Sequence, residues 1–222
     1  MSSLTRLIKD KEKLAITLLL ILFPFGFIFH NISLTRGYVM AMTDIFLLAT
    51  NSLVFYFLWR NSGSASLLLW SIIAFTLTFL AEYLGVETGK VFGDYHYGAT
   101  MFLQLGDVPV VIAFNWIILI LATYAISIKL VGNPWIAPFI SSILIVIFDF
   151  IMEPVAMYLD YWQWENNTIP LQNYIAWFII SFVFAYALSF LRINPDTKIL
   201  RYYFFIQLGF FLLFRIEIAV GF

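Results

Sequence analysis

The stretch VPVVIAFNWIILILATYAISIKLV, from Val108 to Val131, decides the fold: it carries a single charge, Lys129. A helix needs ~20 predominantly apolar residues to cross the hydrocarbon of a bilayer, and this run is long enough. Similar runs occupy Leu14–Phe29, Tyr38–Trp59, Leu67–Val86, Trp135–Met157, Leu171–Leu191 and Leu200–Phe222. The composition agrees. Of 222 residues, 63% are hydrophobic, 20% aromatic and only 11% charged, with mean hydropathy +0.94. Soluble domains carry about 25% charge and about 45–50% apolar residues, so this chain cannot cover its surface with polar groups. We expect an all-α integral membrane protein: a bundle of about seven transmembrane helices forming one polytopic domain over residues 1–222.

Most connections are short and carry turn residues, among them Asn61-Ser62-Gly63, Gly132-Asn133-Pro134 and Asn194-Pro195-Asp196. Two are longer, Glu87–Asp107 and Tyr158–Pro170. The basic start followed by Leu14–Phe29 is expected to be an uncleaved first span, because the apolar run is long and no small-residue cleavage site follows. With seven spans, one side receives Arg6, Lys9, Lys11, Lys13, Arg60, Lys129, Arg192, Lys198 and Arg201. The other receives only Arg36 and Lys90, which predicts a cytoplasmic N-terminus.

This layout gathers the polar residues near the outer face. Asp44 opens span two, and Glu82 closes span three. Asp149 and Glu153 fall in the last third of span five, Arg215 and Glu217 in that of span seven. His30, Asn115 and Asn173 lie toward the same side, and Glu87, Asp94 and Asp107 occupy the long loop. A charge at the helix centre costs ~2.5–3.5 kcal/mol on insertion scales, so such residues face a bundle interior or a wet cavity. One polar pocket in the outer half of the membrane is the expectation. Asp149 and Glu153, four apart, share a helix face. Glu82, Gly85 and Gly89 form a second stripe whose glycines admit another helix. Asp107 and Asn115 share a third face if the helix begins at Asp107.

Several functions drop out. A net charge of −1 and a pI near 6.1 supply no footprint for nucleic acid. Cysteine is absent, which removes thiol catalysis and disulfides. No lysine sits mid-membrane in the last span, as a retinal protein needs. The two histidines, His30 and His96, are too few for a membrane di-iron site. There is no HExxH, P-loop or GxGxxG.

Two stretches are dense in glycine, aromatic and acidic residues. The first runs Glu82-Tyr-Leu-Gly-Val-Glu-Thr-Gly-Lys-Val-Phe-Gly-Asp-Tyr-His-Tyr-Gly98, continuing through Gly106-Asp-Val-Pro109 to Asn115-Trp116. The second is Asp149-Phe-Ile-Met-Glu-Pro154, then Tyr161-Trp-Gln-Trp164, Ile169-Pro170, Asn173 and Trp177. The patterns E-x-x-G-x-x-T-G-x-x-F-G-x-Y-x-Y and D-x-x-x-E-P…W-x-W…P-x-x-N resemble the carotenoid biosynthesis membrane-protein family. That family includes carotenoid 1,2-hydratases and bisanhydrobacterioruberin hydratases. The resemblance covers a motif core over residues 82–177. It departs at Thr168-Ile169-Pro170, where the family usually has Gly-Val-Pro, which leaves the glycine's turn role without its residue.

The resemblance implies a multi-pass protein of a prokaryotic cell membrane. It implies addition of water across the terminal C1–C2 double bond of an acyclic carotenoid end, giving a tertiary alcohol. The substrate would be lycopene, γ-carotene or a C50 carotenoid taken from the lipid bilayer. Neither a cofactor nor a metal is implied. Such a reaction needs a proton delivered to the less substituted carbon, a surface that tolerates a tertiary carbocation, and a held water beside a base. A carboxyl group in an apolar helix can stay protonated because desolvation disfavours its charged form, and Asp149 is the deepest acid in this span layout. It is the candidate acid, with a helix-packing hydrogen bond as its alternative role. Glu153, one turn outward, can hold water or act as base. The family pattern adds Glu82, Glu87 and Asp94, the last two of which also read as solvated loop charges.

Tyr95, Tyr97, Trp162 and Trp164 are candidates to face the cation, although tyrosine and tryptophan also gather in interfacial belts. Asn115 is a further binding candidate. Asn173 can orient water or a carboxylate, or cap the sixth span. His96 reads as an exposed loop histidine, and Arg215 with Glu217 as a structural ion pair. Two other functions share these features: a carotenoid or isoprenoid cyclase or isomerase, and a proton-coupled transporter or carotenoid-binding protein. The near absence of charge in the inner halves of the spans disfavours a transporter.

Overall fold

A computed structural model describes residues 3–221, with side chains from residue 10 onward. The charges of Arg6 and Lys9 and the terminal Phe222, used above for orientation and for the end of the last span, lie outside the described residues. Eight helices dominate: α1 (Ser3–His30), α2 (Ser33–Ala41), α3 (Thr43–Ser62), α4 (Ala65–Thr88), α5 (Val110–Val131), α6 (Ala137–Tyr158), α7 (Leu171–Phe190) and α8 (Lys198–Val220). Six of them are long and apolar enough to span a membrane, and α2 and α3 together make a seventh if taken as one span. The chain is an all-α, multi-pass membrane protein.

The long apolar run that decides the fold is the central post. Nearly all of α5 is buried, and it packs against α3, α4, α6, α7 and α8. A helix apolar all round has no solvent or lipid face to present, so its place is the middle of the bundle. Local chemistry sets the helix ends. Ser64 and Thr197 accept the backbone N–H of Leu67 and Leu200 at the starts of α4 and α8.

The second span departs from the uninterrupted Tyr38–Trp59 helix that hydropathy predicts. It breaks at Met42, and α2 and α3 meet at a 58° bend. Thr43-Asp44 begins a new helix there: Asp44 sits in the first turn of α3, where a carboxylate complements the helix dipole. It also accepts the Leu103 N–H at 2.7 Å, which pins the long loop to this end of the bundle. α5 likewise begins later than Asp107. Two short strands, β2 (Gln104–Leu105) and β3 (Val108–Pro109), pair around an exposed Gly106-Asp107 turn. Asp107 therefore shares no helix face with Asn115.

The two long connections meet. Strand β1 (Tyr95–Tyr97) pairs antiparallel with β4 (Trp162–Trp164), matching Tyr95 to Trp164, His96 to Gln163 and Tyr97 to Trp162. Side chains alternate across a strand, so this register puts two tyrosines and two tryptophans on one face. That face points into the bundle.

Candidate active site

Glu82 lies in the last two turns of α4 and is buried. Its Oε2 accepts hydrogen bonds from the Tyr95 hydroxyl and, at 2.8 Å, from the Tyr97 hydroxyl. Gly85 makes room for this. A Cβ there would stand 2.7 Å from the Phe92 ring and 3.1 Å from the Tyr95 hydroxyl. The glycine stripe thus admits the returning loop rather than another helix. Gly89 ends α4 in the left-handed conformation, φ 65°, where Asp94 carboxylate oxygen occupies the space of a side chain.

Glu153 lies opposite, near the end of α6. Its Oε2 accepts the indole N–H groups of Trp162 at 2.9 Å and Trp164 at 2.6 Å. Its Oε1 accepts the Asn173 amide at 3.2 Å. The same Nδ2 donates to Asp149 Oδ2 at 2.7 Å, so one amide in the first turn of α7 bridges two carboxyl groups. Asn173 therefore joins the acids rather than capping α7, whose N-cap is Pro170. Each glutamate takes one donor pair from the β1–β4 face: phenols on Glu82, indoles on Glu153. Burial first, and then the neighbouring Glu82 carboxylate, hold the Tyr95 and Tyr97 phenols well above the usual tyrosine range, so both remain proton donors.

Glu82 and Glu153 share a cavity of ≈ 20 Å³ with Asn173, Ile112 and an aromatic shell. That volume holds a single water molecule. The shell is Tyr95, Tyr97, Trp162 and Trp164 from the strands, with Phe92, Trp116 and Trp177 closing it. Trp116 and Trp177 stack with centroids 3.7 Å apart, and Phe92 stacks on Trp177 at 5.2 Å. No basic residue pairs with these acids: among the described residues the only ion pair joins Arg201 and Asp196.

The remaining candidates fall elsewhere. Asp149 is fully buried beside Glu153 but lies outside the cavity lining, and its Oδ1 lacks a hydrogen-bond partner among the described residues. Glu87 and Asp94 are exposed. Glu87 projects from the outer face of the last α4 turn, and Asp94 serves the turn, its carbonyl accepting the Glu165 N–H. Asn115 accepts from Gln207 at 3.1 Å in a neighbouring cavity. Arg215 and Glu217 form no ion pair. Two positions apart on a helix, they face different ways, and Glu217 accepts from Asn31 at 3.0 Å instead. The single outer pocket expected from depth is therefore divided, because residues at one depth point along different helix faces.

Trp162 and Trp164 are buried, not interfacial, and His96 is exposed. Phe92, Trp116 and Trp177 join the shell in addition to the site residues expected from the sequence. Trp177 stands one turn beyond Asn173 on the same face of α7, a spacing that could have identified it.

The model of the carotenoid biosynthesis protein family matches residues 41–220. The chain belongs to this family. The match extends well beyond the motif core and takes in α3 through α8. Among similar proteins is the bisanhydrobacterioruberin hydratase of Haloarcula japonica, 27% identical over 118 residues. That alignment covers 49% of this chain and 40% of the relative, less than half the length of either. No solved structure matches the chain. Family membership places the carboxylate cavity in a protein of carotenoid biosynthesis.

Proposed function

We propose that this chain hydrates the terminal C1–C2 double bond of an acyclic carotenoid end, with the aromatic carboxylate cavity as its active site. The single observation that carries this reading is the pairing of two glutamates across an aromatic cavity with room for one water. The likeness to a hydratase supports the same reaction class. In this account residues 1–222 act as one membrane domain.

Hydration begins with a proton on C2, which leaves a tertiary cation at C1. Water adds to C1 and then loses a proton. Glu153 suits the water-holding base, because all its partners are N–H donors and require an acceptor. Glu82 suits the acid. Its partners are hydroxyls, which donate to one oxygen while the other carries the proton, and which go on donating to the carboxylate once that proton has left. Trp162, Trp164, Trp116 and Tyr97 line the cavity beside which the cation forms, and an aromatic face over a cation contributes ~2 kcal/mol when desolvated. Asp149 acts through Asn173, fixing the amide that orients Glu153. This moves the acid from Asp149, where depth in the span suggested it, to a carboxyl group that reaches the cavity.

Turnover in deuterated water tests the order of events. The expected product carries one non-exchangeable deuterium on C2 and a hydroxyl on C1. A product with its mass unchanged in ordinary water would mean that an internal alkene captures the cation, as in a cyclase.

A further inference from the structure

A second cavity lies beside the first. Its volume is ≈ 270 Å³, its lining is almost wholly apolar, and it runs between α1, α3 and α8 toward α5. Phe23, Phe46, Met101 and Met152 form its walls. Two residues, Ile112 and Trp162, line both cavities and make the partition between them. Trp162 therefore presents its indole N–H to Glu153 and its ring to the apolar space. Of the polar lining residues, Asn115 and Gln207 bond to each other and His30 Nδ1 meets the Gly26 carbonyl at 2.7 Å, while His30 Nε2 has no partner among the described residues. The mouth is at the bend between α2 and α3: Tyr38 and Met42 line the cavity yet are 76% and 52% exposed.

We propose that this cavity binds the acyclic hydrocarbon end of the substrate, admitted from lipid at the α2–α3 bend and directed at the carboxylates past Ile112 and Trp162. The proposal rests on the hydratase reading and names where its substrate sits. Size supports the occupant. An apolar cavity of about 150 Å³ holds a six-carbon benzene, so 270 Å³ accommodates about eleven carbons, close to two isoprene units. The bend explains the mouth. A straight helix through residue 42 would continue the axis of α3 into α2, whereas the 58° turn carries α2 off that axis beside the exposed Tyr38 and Met42. Gly26 matters here because it lines the wall and a Cβ there stands in ordinary contact, 3.7 Å from the Phe210 ring. Alanine fits at that position, and a longer side chain must occupy cavity space. The wall formed by Phe23, Gly26, Tyr38 and Val39 comes from α1 and α2, before the family-matched residues 41–220.

Photolabelling tests the assignment without turnover. The probe is an acyclic hydrocarbon of two isoprene units carrying a diazirine, applied to the detergent-solubilised full chain. We expect labelling of Phe46, Met101 and Met152, competed by lycopene. Gly26→Leu should lower that labelling and raise KM for hydration by about tenfold or more with kcat little changed, as crowding by one or a few carbons does in apolar pockets. Label spread over the outer helix faces, insensitive to lycopene and to Gly26→Leu, would overturn the proposal even if hydration is observed. Competed labelling in the cavity from a chain that hydrates no carotenoid would uphold the binding site and refute the hydratase reading instead. Because labelling is read on the unsubstituted chain, poor folding of Gly26→Leu does not blunt the test.

Discussion

The two cavities share a wall and almost nothing else. One holds ≈ 20 Å³ between two glutamates, with seven aromatic side chains around them; the other holds ≈ 270 Å³ and is lined mainly by phenylalanine, methionine and other apolar side chains. The smaller is built where two loops pair as strands, so its donors sit at fixed register. The larger is bounded by helices and opens at a bend. A membrane helix alone offers an apolar face but few convergent hydrogen-bond donors. The β1–β4 ladder supplies them, four from one strand face. On the proposed function the difference is a division of labour: the helices carry the two acids and accommodate a hydrocarbon, and the paired loops supply the donors that hold those acids in place.

Substitutions can break or sharpen that division. Glu153→Gln keeps the shape but removes the charge that three N–H donors surround. We expect hydration to fall by ~10²–10⁴, the usual scale for a general acid or base, while probe labelling of the larger cavity persists. Loss of both readouts together would mean that the two spaces are not functionally separate. Asp149→Asn leaves Glu153 in the cavity, and the expected loss is about tenfold, corresponding to ~1.4 kcal/mol of misplacement. A loss equal to that of Glu153→Gln would return Asp149 to the role of acid.

The sequence made the helical bundle legible because a run such as Val108–Val131 has few alternatives to spanning a bilayer. It also exposed the acids, since buried charges are rare in such runs. The break at Met42 was not legible. Hydropathy averages over a window and passes smoothly through Thr43-Asp44. Nor was the partition of the polar residues, because depth along a helix says nothing of the direction in which a side chain points. The alternation in Tyr95-His96-Tyr97 and Trp162-Gln163-Trp164 carried the signal for the inward face. What it lacked was the pairing partner, which only the return of the two loops to one place provides.

Gly98→Ala addresses that pairing. Its N–H donates to the Tyr161 carbonyl at 2.9 Å, and a Cβ there would stand 2.2 Å from the Asp160 carbonyl oxygen. The ladder must shift, and thermal unfolding in detergent should show a loss of about 1–3 kcal/mol, with hydration reduced. An unchanged midpoint and rate would show that the strand register is not what holds the donors. The smallest effect is expected from Tyr97→Phe. Glu82 keeps its bond from Tyr95, and one neutral hydrogen bond contributes ~0.5–1.5 kcal/mol, so the rate should fall only several-fold. A collapse of activity would mean that Tyr97 itself transfers a proton.

The central claim is tested most directly by product mass. The chain, and separately its Glu153→Gln variant, would be expressed in cells that accumulate lycopene, with matched amounts of protein confirmed in the membrane. A gain of one or two waters per carotenoid, present with the unsubstituted chain and lost in Glu153→Gln, is the result predicted here. An unchanged or merely isomerised carotenoid from the unsubstituted chain, or full hydration by Glu153→Gln, would contradict it.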